Sequence, residues 1–251
     1  MLIDIHSHLD ILENPKKDIG ESISRGVKII LTCGVDVKTN RKALELSKEF
    51  QEVKPCLGLY PTDALKFSQE EINNEIGFIK KHKKEIIAIG EIGLDLKESS
   101  QESLEKQKQN LSKFVNLGIE LNLPVIIHSR KAEKQAIELL EKLTKDKKYN
   151  KIIMHCFSGK FKLIERIIKN GWFLTIPTNV KNSEHFQKLI EKCPLGQLFC
   201  ETDSPFLHPD KLRNNIPGNV IESYKRISEI KNIPLNEAEK QLEKNYNNVF
   251  K

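Results

Sequence analysis

Residues 2–8 read LIDIHSH, an apolar run that ends in two histidines separated by a single residue. Successive side chains of a β-strand point to opposite faces, so residues two apart share a face. His6 and His8 could therefore both reach one metal ion. A lone His-x-His pair is weak evidence of a metal site, because chance pairs are common. Its weight comes from further residues at equivalent places along the chain.

Six metal-competent side chains come where apolar, strand-like runs end. They are His6, His8, Glu91, His128, His155 and Asp203. In a parallel barrel the C-terminal ends of the strands converge on one face, which is where active sites of this architecture lie. One histidine at a strand end is more often a hydrogen-bonded structural residue. The whole set together favours a metal site.

Short apolar runs alternate with amphipathic segments along the chain. We predict strands near residues 2–6, 27–32, 53–59, 86–89, 124–128, 152–155, 172–176 and 198–202. Helical spacing separates them, as in Ala136, Leu139, Leu140 and Leu143. Eight strands alternating with helices predict a (β/α)8 TIM barrel of the metal-dependent hydrolase type, with a doubly wound open sheet as the alternative.

The composition is that of one globular domain spanning residues 1–251, with no linker or low-complexity tract. The apolar stretches are too short to span a bilayer, and no targeting segment is visible, so we expect a cytoplasmic protein without an obligate protein partner. Five cysteines without a Cys-x-x-Cys pair argue against a disulfide framework. The net charge of +6 favours anionic substrates, although lysine runs are usually solvated surface.

Mixed imidazole and carboxylate ligands suit zinc, manganese, iron or nickel, and magnesium where carboxylates and waters dominate. Six ligands exceed the need of one catalytic zinc, so we expect two ions, bridged by the two oxygens of Glu91. Two ions that share a water would lower its pKa and present hydroxide at neutral pH. Asp203 could then accept the proton of the nucleophile.

Five segments resemble the signatures of the TatD-type metal-dependent hydrolases, deoxyribonuclease-like members of the amidohydrolase superfamily. They are DIHSHLD (4–10), GEIGLD (90–95), LPVIIHSR (123–130), HCFSG (155–159) and ETDSP (201–205). The segments occur in order across nearly the entire chain. This combination makes the resemblance specific.

The resemblance implies a barrel with two divalent cations such as magnesium, zinc or manganese. It places His6, His8, Glu91 and Asp203 around one cation, and Glu91, His128 and His155 around the other. It also implies phosphodiester hydrolysis, with 3′-to-5′ removal of nucleotides from single-stranded DNA. The nucleic-acid substrate is thus an expectation from the family, not from residue spacing.

The chain departs from the family pattern at two places. The family usually carries Gly-x-His-Pro after its third strand, whereas this chain has Tyr60 at the histidine position. A tyrosine cannot carry the imidazolium charge at neutral pH, so substrate or rate would differ if this position touches the scissile phosphate. The second departure is Asn215-Ile216-Pro217, where Asn-Glu-Pro is common, and it removes a carboxylate from the last loop.

Supporting roles are predicted for four residues near the barrel mouth. Arg130 lies two positions beyond His128, and its guanidinium could hold a phosphate. Glu201 shares strand parity with Asp203, so we expect it to pair with Arg130 or to orient a ligand histidine. Arg213 and Asn215 are candidate substrate contacts on the last loop.

Two other functions are alternatives to the nuclease hypothesis. A hydrolase of carboxylic esters or amides, such as a misacylated-tRNA deacylase, could use the same ligands, which therefore do not separate the two. A catalytically silent nucleic-acid-binding barrel is the alternative of another class. The complete ligand set argues against it, because a binding scaffold has no need of six converging ligands.

Overall fold

The computed structural model describes residues 1–211 and 214–251. Its strands are all parallel, and each pairs with the next in chain order. They are β1 Leu2–Ser7, β2 Val27–Cys33, β3 Val53–Leu57, β4 Ala88–Asp95, β5 Val125–Arg130, β6 Ile152–Met154, β7 Phe173–Pro177 and β8 Leu198–Glu201.

Helices connect the strands and cover the outside of the sheet. Those of the described ranges are α1 Pro15–Ser24, α2 Val37–Glu49, α3 Gln69–Lys81, α4 Leu104–Leu121, α5 Glu133–Thr144, α6 Phe161–Lys169, α7 Glu184–Lys192, α8 Ile221–Lys231 and α9 Leu235–Phe250. Asp36 and Ser68 begin α2 and α3 with capping boxes, in which side chains satisfy amide groups of the first turn. Within the described part, no helix is long and apolar enough to cross a membrane.

Hydrogen bonds between β1 and the segment after β8 bring the two ends of the sheet together. The amide of Asp203 donates to the carbonyl of His6 at 2.9 Å, and the amide of His8 donates to that of Ser204 at 2.8 Å. The buried carboxylate of Asp4 adds a side-chain link, because it accepts hydrogen bonds from the amide and the hydroxyl of Thr202. The predicted (β/α)8 barrel is confirmed, and the open sheet is excluded.

The barrel interior is an apolar cluster to which every strand contributes. Ile3, Leu31, Cys56, Ala88, Ile126, Ile153, Phe173 and Phe199 belong to it. Tyr246 and Val249 of α9 join this cluster, and a larger cluster packs the helices against the outside of the strands. With the interior filled, the residues that carry chemistry are confined to the end of the barrel where the strands finish.

The fourth strand differs most from the sequence prediction. We predicted a fourth strand over 86–89 with Glu91 after it, whereas β4 runs from Ala88 to Asp95 and contains Glu91. Gly93 lies within this longer strand and allows its close packing against β5. A Cβ at Gly93 would lie 2.0 Å from the carbonyl oxygen of His128 on β5, so only glycine fits there.

Candidate metal centre

Four ligand atoms from β1, β4 and the segment after β8 form a compact cluster. The two Nε2 atoms of His6 and His8 lie 3.2 Å apart. Oε2 of Glu91 lies 3.5 and 3.4 Å from them, and Oδ1 of Asp203 lies 3.6 and 3.4 Å from them. A tetrahedral ion with bonds of about 2.0–2.1 Å places its ligand atoms about 3.3–3.4 Å apart. Five of the six separations among these atoms therefore match ligand atoms around one cation.

The other oxygen of Glu91 faces a second pair of histidines. Oε1 lies 2.9 Å from Nδ1 of His128 and 3.9 Å from Nε2 of His155. The rings of His6 and His155 stack with their centroids 3.7 Å apart, so the two halves of the centre are in contact. Glu91 is thus the residue that offers one oxygen to each half.

Outward-facing nitrogens of three histidines are hydrogen-bonded to acceptors of the protein. Nδ1 of His8 lies 3.0 Å from the carbonyl oxygen of Cys33, and Nδ1 of His155 lies 2.8 Å from Oε2 of Glu201. Nε2 of His128 lies 3.0 Å from Oδ2 of Asp95. Each of these nitrogens carries the proton, because its partner can only accept. When the imidazole is neutral, its inward nitrogen is then a lone pair that faces a carboxylate.

The electrostatics of the centre favour positive charge among these groups. Burial lowers the pKa of His8, but the hydrogen bond to Asp203 and the charge of Glu91 outweigh it and raise the pKa to about 9. Burial likewise lowers the pKa of His155, yet the charges of Glu201 and Asp203 raise it to about 10. Burial raises the pKa of Glu91, whereas hydrogen bonds to His128 and His6 hold it well below its usual value.

These observations show that the residues fit divalent cations. A nitrogen lone pair and the carboxylate oxygen that it faces repel each other, unless a proton or a cation lies between them. The distances of the first cluster match ligands around one ion, and imidazole with carboxylate is a donor set of zinc, manganese and iron. Two sets of three ligand atoms lie within 4.8 Å of one another, His6 with His8 and Asp203, and His6 with Glu91 and His155.

The six predicted ligands are therefore brought together by the fold. Their side chains are nearly inaccessible, except for Asp203 at 14% and His128 at 13% exposure. Of the two roles predicted for Glu201, the structure has the contact to a histidine. Its Oε2 lies 2.8 Å from Nδ1 of His155, and its Oε1 accepts from the amide of Cys156 at 3.1 Å. It does not bind Arg130, which instead pairs with Glu98 at 3.3 Å.

The centre lies at the floor of a cavity of about 610 Å³. Tyr60 and Arg130, both predicted substrate contacts, line its wall. The hydroxyl of Tyr60 donates to Oδ2 of Asp95 at 3.0 Å and lies 3.2 Å from Nε2 of His128. The guanidinium of Arg130 is half exposed at the mouth. Both side chains therefore border the cavity above the centre.

The prediction for Asn215 needs correction. This residue is fully buried, and its side-chain amide donates to the carbonyl oxygens of Thr202 at 2.9 Å and Phe206 at 2.7 Å. An amide committed to the backbone of its own loop does not contact substrate, so Asn215 fixes the loop after β8. Arg213, the other predicted contact on that loop, lies outside the described residues.

Asp95 is the residue of the centre that the sequence analysis missed. Its carboxylate binds His128 and Tyr60 through Oδ2, while Oδ1 accepts from the amides of Lys97 and Glu98. Burial raises its pKa, but the hydrogen bond to His128 and those from the backbone lower it to about 2. The available signal was a carboxylate that ends the apolar GEIGLD segment.

Comparisons with known proteins agree with this centre. The family described as TatD related DNase matches residues 3–251. An uncharacterized metal-dependent hydrolase of Methanocaldococcus jannaschii is 36% identical, over 99% of this chain and 96% of its own. Human deoxyribonuclease TATDN3 is 30% identical, over 94% of this chain and 90% of its own.

A more distant relative and a solved structure extend the comparison. The 3′-5′ ssDNA/RNA exonuclease TatD of Shigella flexneri is 26% identical, over 84% of this chain and 82% of its own. The crystal structure of YjjV, a TatD homologue of Escherichia coli, superposes with a TM-score of 0.89 at 25% identity, covering 99% of this chain and 97% of that one. The chain therefore belongs to the TatD-related DNase family of metal-dependent hydrolases.

Proposed function

We propose that the protein is a phosphodiesterase that uses two divalent cations to remove nucleotides from the 3′ end of single-stranded DNA. The observation that carries this proposal is the arrangement around Glu91. One carboxylate oxygen lies 3.5 and 3.4 Å from the paired Nε2 atoms of His6 and His8, and the other faces two further histidines. The substrate is supported by relatives named as a deoxyribonuclease and as a 3′-5′ ssDNA/RNA exonuclease.

The proposed ligands divide between two cations. His6, His8, Glu91 and Asp203 would hold one, and Glu91, His128 and His155 would hold the other. Bound there, divalent cations supply acidity to water and offset the negative charge of the phosphate. The charge matters because the cavity floor is rich in carboxylates, which would otherwise repel an anionic substrate.

Asp203 is the proposed proton acceptor. Its side chain is 14% exposed and lines the cavity, whereas that of Glu91 is 3% exposed. Oδ1 faces the histidines, which leaves Oδ2 to take a proton from the attacking water. Burial raises the pKa of Asp203, but the charge of His155 and the hydrogen bond to His8 lower it, so the carboxylate is ionised and ready to accept a proton.

Arg130 is the proposed contact to a phosphate oxygen. It is the arginine side chain that lines the cavity within the described residues, and its exposed pair with Glu98 can exchange for a phosphate. A guanidinium binds phosphate through two parallel hydrogen bonds. Arg130 therefore holds the strand while the buried centre acts on the phosphodiester.

We further propose that the protein works in the cytoplasm. All five cysteines are free, and four of them are buried. Free thiols are typical of proteins in a reducing compartment.

The decisive experiment compares substrates with purified, manganese-loaded protein. We expect nucleotide release from a 5′-labelled single-stranded oligonucleotide, as a ladder that shortens from the 3′ end, and little deacylation of aminoacyl-tRNA. The Asp203→Asn variant should lower release by roughly 100-fold or more while the circular dichroism spectrum is kept. Deacylation without nucleotide release would make the protein an ester hydrolase. Undiminished DNA cleavage by Asp203→Asn would contradict the role of that carboxylate.

A further inference from the structure

Two large hydrophobic side chains remain exposed among the described residues, and both line the cavity above the metal centre. Ile11 is 49% exposed and Phe206 is 52% exposed. Exposed apolar side chains scattered singly over a surface need no explanation, but a pair confined to the mouth of an active-site cavity indicates a ligand surface. Their position distinguishes them from the apolar residues that pack in the core.

The backbone around Phe206 is fixed on both sides. Its amide donates to the carbonyl oxygen of Asp203 at 2.8 Å, and its own carbonyl oxygen accepts from Asn215 at 2.7 Å. The next carbonyl, that of Leu207, accepts from the hydroxyl of Thr178 at 2.7 Å. The solvent-exposed ring of Phe206 is therefore carried by a backbone that hydrogen bonds fix in position.

The ring of Phe206 lies directly beside the centre. Its centroid is 6.2 Å from that of His8, whose Nε2 belongs to the four-atom cluster. A nucleotide whose phosphate is at the centre carries its base one sugar away from that phosphate. Phe206 is thus at the distance where the base, and not the phosphate, would meet the protein.

We propose that Phe206, together with Ile11, forms a stacking surface for the base of the 3′-terminal nucleotide. The inference rests on the proposed nuclease function and specifies how the substrate is held. Stacking is tolerant of sequence because every base has a π-face. The surface would therefore bind the end of any single strand, whereas a paired base in a duplex does not expose its face in the same way.

A tryptophan at position 206 tests the contact directly. Trp172 is the only tryptophan of the chain and is 2% exposed, so Phe206→Trp adds the one solvent-exposed indole. In an Asp203→Asn background, we expect single-stranded oligo-dT to quench the fluorescence of Phe206→Trp. Phe50→Trp is the control, because Phe50 directly follows α2 at the opposite end of the barrel, and a tryptophan there should not be quenched.

Kinetics with an oligonucleotide that lacks its 3′-terminal base test how much the contact with Phe206 contributes to catalysis. Phe206→Ala should lower kcat/KM for an ordinary oligonucleotide by roughly 5- to 150-fold. The loss should be much smaller when the 3′-terminal nucleotide lacks its base, because the contact is then absent in both proteins. Phe206→Tyr should restore activity, since it keeps the aromatic face, whereas Phe206→Leu should not.

The outcomes separate this inference from the function on which it rests. Equal losses with both substrates, or binding measured by anisotropy without quenching, would overturn the stacking contact while hydrolysis stands. No nucleotide release by the unaltered protein from any oligonucleotide would overturn both proposals. If the protein is a dimer that Phe206→Ala converts to a monomer, the exposed ring belongs to a protein interface and stacking is excluded.

Discussion

Tyr60 places a neutral hydroxyl where the family resemblance leads one to expect an imidazole. The hydroxyl donates to Asp95 and lies beside the outward nitrogen of His128. Asp95 holds His128 directly at 3.0 Å, so the orientation of that ligand does not depend on the hydroxyl. Burial and the neighbouring carboxylates raise the pKa of Tyr60, and the phenol stays neutral throughout the physiological range.

The first test therefore separates turnover from metal content. We expect Tyr60→Phe to keep the metal stoichiometry of the unaltered protein and to lower kcat/KM by roughly 3- to 10-fold, the range for one lost hydrogen bond. Tyr60→His should change kcat more than metal content, because it adds a group that can carry charge beside the substrate. Metal loss with unchanged turnover in either variant would show that Tyr60 holds the centre together and does not act on the substrate.

At the residue scale, sequence reasoning worked where the side chain type limits the role. Four histidines and two carboxylates at strand ends share few functional roles other than metal binding. The fold does bring all six side chains together. Asn215 was misassigned, because an asparagine on a loop serves a turn as readily as a substrate. Asp95 was missed, since its partner His128 is distant in sequence and the pairing depends on how β4 and β5 pack.

At the scale of the elements, β4 shows that the alternation of side chains along a strand does not always predict which face a residue occupies. Ala88 lies in the interior cluster, so strict alternation along β4 would turn Glu91 to the other face. The pairing of β4 with β5 is irregular between Ile89 and Ile92, and Glu91 lies within that irregularity. Sequence could therefore predict that a strand exists near Glu91, but not the local break in pairing that aims its carboxylate.

The contact between the ends of the sheet gives an element-scale prediction. Asp4 accepts hydrogen bonds from Thr202 at 2.9 and 2.5 Å, and removing its carboxylate leaves the buried amide without a partner and the hydroxyl with Ser204 alone. We expect Asp4→Ala to lower the free energy of unfolding by about 2–4 kcal/mol in urea denaturation of metal-stripped protein. Asp146→Ala, at an exposed position, is the control and should lie within about 0.5 kcal/mol of the unaltered chain. A change in Asp4→Ala as small as that of the control would mean that the backbone bonds close the barrel alone.

At the scale of the whole molecule, the free energy of unfolding depends on the protonation of histidines in the centre. The pKa of His8 is raised to about 9 and that of His155 to about 10, against about 6.5 in an unfolded chain. Both therefore bind protons more tightly in the folded state. Their contribution to stability is complete below about pH 6.5 and is lost as the pH rises through the folded values. His6 has a lowered pKa and titrates below this window.

Metal-stripped protein should accordingly become less stable between about pH 7 and 8, a range that lies below the ordinary pKa values of cysteine, tyrosine and lysine. The measurement is the free energy of unfolding from urea titrations at several pH values, with and without saturating manganese. Bound cations need deprotonated nitrogens, so the metal-loaded protein should gain stability with pH over the same range. Stability of the stripped protein that rises with pH would contradict the proposed proton binding.

The most direct test of the metal-dependent nuclease is a titration of chelator-stripped protein with manganese. Bound metal is counted by mass spectrometry while nucleotide release from single-stranded DNA is followed in the same samples. We predict no release without metal, release that rises with bound metal until two ions are held per chain, and one ion retained by His128→Ala. Full release in excess chelator, or a stripped protein that binds no metal at this centre, would contradict the account.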